Sequence, residues 1–194
     1  MEVLELLRQA LKTSVSVIKA GAGIQEKARK ELVQDLQKIC QNCETSYEAV
    51  LKRLAPIKDT FRRPDELAKE LRAFAADPKA RQSFKPERLC GEIDHLLVRL
   101  ESNLDPLKYA IDISRIQEVK RTLGLVGNYD AAIYRSYDEF ARQLDELATQ
   151  IRDPRFDANE RAEYVQRVIR EFDEDLRATI DNVRATKKEV LKMA

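Results

Sequence analysis

Cysteine and histidine are the side chains here best suited to chemistry, and the chain has three cysteines and one histidine. Cys40 and Cys43 form a Cys-x-x-Cys motif, which in redox proteins begins a helix, where the helix dipole lowers the pKa of the first thiol. Here the motif falls in the middle of a long apolar-periodic segment, on its apolar face. Because a free cysteine packs as a small hydrophobic residue, we predict that both are core residues. Redox or metal chemistry at this pair is the alternative.

A metal site would have to use the single histidine, His95. Together with Cys40, Cys43 and Cys90 it would complete the ligand set of a Cys3His zinc site. Residues five apart on a helix, as Cys90 and His95 are, point about 140° away from each other, so they do not face one ion. Glu92 and His95 also form a Glu-x-x-His element, but di-iron bundles need two such elements. We therefore predict no metal site and no cofactor.

Motifs for other kinds of catalysis are missing from the sequence. It contains neither a P-loop nor the glycine-rich dinucleotide-binding motif, and no G-x-S-x-G nucleophile motif. Any triad of the Ser-His-Asp or Cys-His kind would depend on His95 alone. The sequence therefore predicts a protein that is not an enzyme.

Charge is balanced in total but not along the chain. Residues 1–63 hold 12 lysines and arginines against 8 acids, residues 64–137 hold 12 against 12, and residues 138–194 hold 11 against 14. A net charge of +1 is not that of a dedicated nucleic-acid-binding protein, and no nucleic-acid partner is expected. Six basic residues flank the third predicted helix, and we expect them to converge at one end of the fold. They are Arg62, Arg63, Lys79, Arg81, Lys85 and Arg88.

This basic patch has two interpretations. As a functional surface it would contact an anionic surface: a phosphoinositide-rich membrane, nucleic acid or an acidic partner. Single-stranded nucleic acid is the weakest of these, because the patch has no interleaved aromatic residues for base stacking. The alternative is an ordinary solvated end of a helical protein. Two tyrosines, Tyr129 and Tyr134, are candidates for a second surface, because tyrosine is enriched at protein interfaces. A partly buried structural role is the alternative for both.

The elements that position these residues are all helices. Apolar residues recur at steps of three and four throughout, and glycine and proline are too scarce for a turn-rich β fold. The segment Lys79–Lys85 has weak periodicity and is predicted to be a loop. Predicted helices are Glu2–Ala20, Ile24–Phe61, Asp65–Ala76, a helix opening at Pro86 with a kink or a break at residues 103–106, Leu107–Leu123 followed by a turn at residues 124–128, a heptad-patterned helix with Ile133–Ile151, and one from Asp157 or Ala158 to Lys192.

Long amphipathic helices bury their apolar stripes by packing side by side. We therefore predict an all-α fold, an elongated antiparallel bundle of six to seven helices with four long walls, an N-terminal helix and a short helix. Residues 1–194 are expected to form a single domain. Within it, residues 1–23 form an amphipathic helix and glycine hinge that could be an appendage.

Three functional hypotheses follow. The first is a non-catalytic bundle that binds another protein or a second copy of itself as a homodimer. The second is a membrane-active or anionic-lipid-binding bundle that uses the N-terminal amphipathic helix. The third and weakest is a helical enzyme or metal protein that uses the Cys40 and Cys43 region. The region before Ala20 contains Glu5, Arg8 and Lys12, which argue against a signal peptide, and a cytoplasmic location is expected.

Overall fold

The computed structural model of this protein describes residues 2–20, 24–84, 89–125 and 129–193. Within these ranges it describes all side chains except those of residues 2, 3, 90, 123–125, 129–134 and 136. The described residues form eight helices and no strand, which confirms the predicted all-α helical fold class. The helices are α1 (Glu2–Ala20), α2 (Glu26–Asp59), α3 (Pro64–Ala75), α4 (Pro78–Phe84), α5 (Leu89–Ser102), α6 (Ala110–Leu125), α7 (Tyr129–Arg152) and α8 (Ala158–Leu191).

Helix α4 occupies the segment Lys79–Lys85 that the sequence predicted to be a loop, and that prediction is wrong for residues 79–84. Asp77 explains why a helix forms there. Its carboxylate accepts a hydrogen bond from the backbone N–H of Lys79 at 2.9 Å, and its carbonyl accepts one from that of Ala80 at 3.1 Å. Two buried side chains, Ala80 and Phe84, then hold the single apolar face. Two residues are too few to give a periodic signal.

The predicted break between the fourth and fifth helices is confirmed, and Asp105 organises it. The backbone N–H of Leu107 donates to the Asp105 carboxylate, and that of Tyr109 donates to the Asp105 carbonyl, both at 2.9 Å. As a result α6 begins at Ala110 rather than at Leu107. Its described end is Leu125, inside the turn predicted for residues 124–128, and residues 126–128 lie outside the described residues.

Backbone packing divides the chain into two compact units. Unit 1 comprises Met1–Thr45, Pro86–Ala132 and Ala178–Ala194, and unit 2 comprises Ser46–Lys85 and Ile133–Arg177. Helices α2 and α8 contribute residues to both units. The prediction of one domain stays a prediction.

Unit 1 is built around α1, which packs against α5 and α6. The exposed side chains of α1 form one narrow polar stripe that includes Glu5, Lys12 and Lys19. The rest of its described surface is largely covered, and burying each leucine stabilises the fold by roughly 1.5–3 kcal/mol. The buried residues of α1 are Leu4, Leu6, Leu7, Ala10, Leu11, Ser14, Val15, Val17 and Ile18.

Unit 2 has an aromatic core. The rings of Phe140 and Phe172 stack with centroids 4.1 Å apart, and those of Phe84 and Tyr137 lie 5.5 Å apart. Tyr47 meets Phe84 edge-on at 6.3 Å. Contacts of this kind fix the positions of α3, α4 and α7, whose outer faces form the site described next. No helix within the described residues is both long and apolar enough to cross a bilayer.

Candidate functional site

An open groove of about 620 Å³ lies on unit 2 between the end of α3, the start of α4, and α7. We call it the α3–α7 groove. All of its lining residues belong to unit 2. They are Arg72, Ala75, Ala76, Asp77, Pro78, Arg81, Tyr137, Asp138, Ala141, Arg142 and Asp145.

Small side chains leave the space that the groove occupies. Ala75 and Ala76 end α3, and Ala141 lies opposite on α7. Tyr137 contributes to the lining but is only 2% exposed, and its hydroxyl donates to the backbone carbonyl of Phe74 at 3.5 Å. Burial, with the nearby negative charges of the aspartates, raises the pKa of Tyr137 to about 12. The phenol is therefore neutral near pH 7 and acts as a fixed donor.

Arginine–aspartate pairs cross the groove between α3 or α4 and α7. Arg81 on α4 donates two hydrogen bonds to the Asp138 carboxylate on α7, at 2.7 and 2.8 Å. Arg72 on α3 lies 3.7 Å from Asp145 and donates to the Thr149 hydroxyl at 3.2 Å. The Arg81 hydrogen bond lowers the pKa of Asp138, which stays ionised near pH 7.

The remaining charges of the groove are also engaged. Asp77 caps α4 and accepts a hydrogen bond from Arg53 at 2.6 Å. Arg142 pairs with Glu139 at 2.5 Å and with Glu146. The described lining thus combines paired charges of both signs with alanines, and it contains no histidine, cysteine, serine or threonine. Such an arrangement suits recognition of a partner surface.

The predicted basic patch is only partly described. Arg81 lines the α3–α7 groove, and Arg63 pairs with Glu66 at 2.5 Å. Arg62 and Lys79 are exposed. Lys85 and Arg88 lie outside the described residues, so the convergence of all six stays a prediction. The side chains of Tyr129 and Tyr134, which belong to α7, are likewise outside the described part, and their interface role also stays a prediction.

The structure confirms that Cys40 and Cys43 are core residues, since each side chain is fully buried. Burial raises the pKa of Cys40 to about 12 and raises the pKa of Cys43 strongly. Both thiols are therefore protonated near pH 7 and are poor nucleophiles. The side chain of Cys90 is outside the described residues.

The other candidate ligands in the described part of the chain are His95 and Glu92. His95 is exposed. The Glu92 carboxylate forms an ion pair with Lys38 at 3.1 Å and accepts a hydrogen bond from the Asn42 side-chain amide at 3.4 Å. Among the described residues, no group of three or more His, Cys, Asp or Glu side chains could hold a metal ion.

Sequence reasoning missed the α7 side of the groove. Asp138, Ala141 and Asp145 recur at steps of three and four beside the buried stripe of α7, so they share one face. The sequence feature that could have identified this face is a small residue, Ala141, between two acidic residues beside the heptad stripe of α7. Their partners Arg72 and Arg81 are far away in sequence, and only the fold brings them together.

Comparisons of the chain with protein-family models, with curated proteins and with solved structures find no match. The function is therefore inferred from the chain's own residues.

Proposed function

We propose that this protein is a non-catalytic helical-bundle protein that acts by binding another protein through the α3–α7 groove. The observation that carries the proposal is the groove itself, about 620 Å³ of open space on unit 2 lined by paired charges and by alanines. Its size lies within the usual range for binding pockets.

The composition of the groove favours a protein partner. Arginine is enriched where protein interfaces bind most tightly, and Arg72 and Arg81 both line the groove. Ala75 and Ala141 leave room for a side chain inserted from a partner helix or loop. The groove carries charges of both signs, so it favours a partner whose own charges are arranged with the opposite signs. Charges at the rim of an interface mainly set specificity and association rate.

The state of the acidic groups supports binding rather than catalysis. Asp138 and Asp77 are held by arginines, so neither is a free general base. The groove charges are fixed before a partner arrives, which lowers the entropy cost of binding. Cytoplasmic location is part of the proposal, supported by two buried cysteines that are not joined in a disulfide.

The lipid-binding alternative depends on the release of α1. In the structure the described apolar residues of α1 are buried in unit 1 against α5 and α6. Release would expose them together with the faces they cover, at a large free-energy cost. We therefore prefer the groove of unit 2 to α1 as the functional surface.

Site-specific photo-crosslinking, carried out in cells that naturally express the protein, tests the proposal. A photoreactive benzoylphenylalanine replaces either Ala76, which lines the groove, or Ala73, which is exposed on α3 outside it. We expect a discrete covalent adduct with a protein from position 76 and none from position 73. An adduct of twice the chain's mass would identify a second copy of this protein as the partner. Equal adducts from both positions, or none from either, would contradict the proposal.

A further inference from the structure

A second groove of about 360 Å³ lies on unit 2 between α7 and the first part of α8. We call it the α7–α8 groove. It has two apolar residues at its base and polar groups around them. The lining residues are Arg142, Gln143, Glu146, Leu147, Gln150, Arg161, Tyr164 and Val168.

Arg161 is the unusual residue of this groove. Within the described residues it has no carboxylate partner, whereas Arg142, the other arginine of this lining, pairs with both Glu139 and Glu146. Its guanidinium stacks on the ring of Phe156, 4.8 Å from the ring centre. Its Nε is buried and has no hydrogen-bond partner in the described structure. A partly buried, unpaired cation is costly and is usually matched by an anion.

The charge balance of the groove specifies the kind of anion. Glu146 also lines it but is already paired with Arg142, which leaves Arg161 as the one cation of the described lining without a counter-charge. One free cation matches a single negative charge, and the nearby Glu146 repels a dianion such as phosphate. The planar fork of a guanidinium matches the two oxygens of a carboxylate. Gln150 and Tyr164 supply further donors beside it.

The apolar residues of the lining indicate which kind of chemical group is attached to the carboxylate. Leu147 and Val168 both line the groove, and Leu147 is 7% exposed, so the apolar part of the described lining is aliphatic. An aliphatic chain attached to the carboxylate would cover both and remove their apolar surface from water.

We propose that the α7–α8 groove binds a carboxylate attached to a short aliphatic chain, with Arg161 holding the carboxylate and Leu147 and Val168 contacting the chain. Such a group occurs in a free aliphatic acid and at a peptide C-terminus that ends in an aliphatic residue. This site shares Arg142 with the lining of the α3–α7 groove, but it does not depend on the proposed function of that groove.

Calorimetric titration of the full chain with hexanoate tests the site, and hexanamide serves as the matched neutral ligand. We expect saturable binding of hexanoate and at least tenfold weaker binding of hexanamide. The variant Arg161→Gln should lose at least tenfold in hexanoate affinity, while Arg167→Gln, which removes the arginine stacked on Tyr164, should bind as the wild type does. Equal binding of the two ligands, equal loss in both variants or no saturable binding would overturn the proposal.

Two further arms complete the experiment. Arg161→Lys keeps the charge and removes the planar fork, so it should fold as the wild type does by thermal melting and bind hexanoate more weakly. Unchanged binding would overturn the assigned role of the guanidinium. A tripeptide with a C-terminal leucine and a free carboxylate, compared with its amide, identifies the source of the ligand. Tighter binding of the peptide acid than of hexanoate assigns a peptide C-terminus, and the reverse order assigns a free acid.

Discussion

Units 1 and 2 are both helical, yet they use their charged side chains differently. In unit 1 ion pairs tie neighbouring helices together along their sides. Arg99 on α5 reaches Glu31 at 2.5 Å and also Asp35, both on α2. Arg184 on α8 reaches Glu44 on α2 at 2.7 Å. These pairs join long helices at several levels, as expected of a scaffold.

In unit 2 some ion pairs also join helices, as Lys58 on α2 does with Asp173 on α8, but others border open space. The pairs of Arg81 with Asp138 and of Arg72 with Asp145 cross the α3–α7 groove. Arg161 borders the α7–α8 groove and has no carboxylate partner in the part of the chain that the structure describes. The cores differ as well, because the aromatic contacts between buried rings all lie in unit 2 among the described residues. This difference supports the proposal that unit 2 carries the recognition surface while unit 1 has a structural role.

The largest expected effect comes from the aromatic core of unit 2. Phe84 is 1% exposed and contacts Tyr47, Tyr137 and Phe172. Phe84→Ala should lower the free energy of unfolding by about 3–5 kcal/mol, because it removes a buried ring and leaves a cavity. Urea denaturation measures this change. The control Phe156→Ala, at a side chain 37% exposed, should cost less than about 1 kcal/mol, and a similar loss in both variants would contradict the account.

The buried thiols of unit 1 predict a stability loss at high pH. Free thiols ionise near pH 8.5 in the unfolded chain, whereas burial raises the pKa of Cys40 to about 12 in the folded one. Between these values the unfolded state binds fewer protons than the folded state, so stability falls as the pH rises. The expected slope is about 1.4 kcal/mol per pH unit for each thiol.

Denaturation curves from pH 8 to pH 10.5 measure that slope. The double variant Cys40→Ala and Cys43→Ala should show a shallower decline than the wild type, although its stability near pH 7 is lower because of the lost side-chain volume. Parallel declines in the two proteins would show that the thiols ionise in the folded state.

A smaller effect tests the structural role of the unit 1 ion pairs. Arg99→Gln should cost about 1–2 kcal/mol, because the Arg99 side chain is only 24% exposed and serves two carboxylates. Thermal melting and urea denaturation should agree on this loss. If Arg99→Gln melts as the wild type does, the description of unit 1 as a tied scaffold is wrong.

The smallest expected effect on stability is at the groove. The pair of Arg81 and Asp138 is about half exposed, so Arg81→Gln should cost only about 0.2–1 kcal/mol in urea denaturation. The same variant should weaken binding of the groove's partner. A loss of stability larger than that of Arg99→Gln would reverse the contrast between the two units.

The described helices other than α4 were predictable from the sequence, and the grooves were not. Tyr137, Phe140 and Leu144 recur at steps of three and four, so a helix places them on one apolar face. All three are buried. Helix α4 was not predicted, because a seven-residue helix with only Ala80 and Phe84 buried shows no periodic pattern of apolar residues. A groove depends on which side chains distant parts of the chain bring together.

The same reasoning applies to charge. Arg161 and Arg142 are both arginines on amphipathic helices of unit 2, and composition does not distinguish them. Only the fold shows that Arg142 meets two carboxylates while Arg161 meets a phenylalanine ring. The residues missed by the sequence are therefore those whose role depends on tertiary contacts.

The most direct test of the central claim uses the protein recovered by crosslinking at position 76. Its affinity for the wild type, for Ala76→Trp and for Ala73→Trp is measured by calorimetry, with melting curves showing that both variants fold. The tryptophan at position 76 fills the α3–α7 groove, whereas the one at position 73 lies outside it. The account predicts that Ala73→Trp binds as the wild type does and that Ala76→Trp binds at least tenfold more weakly. Equal affinity of the two variants would contradict it.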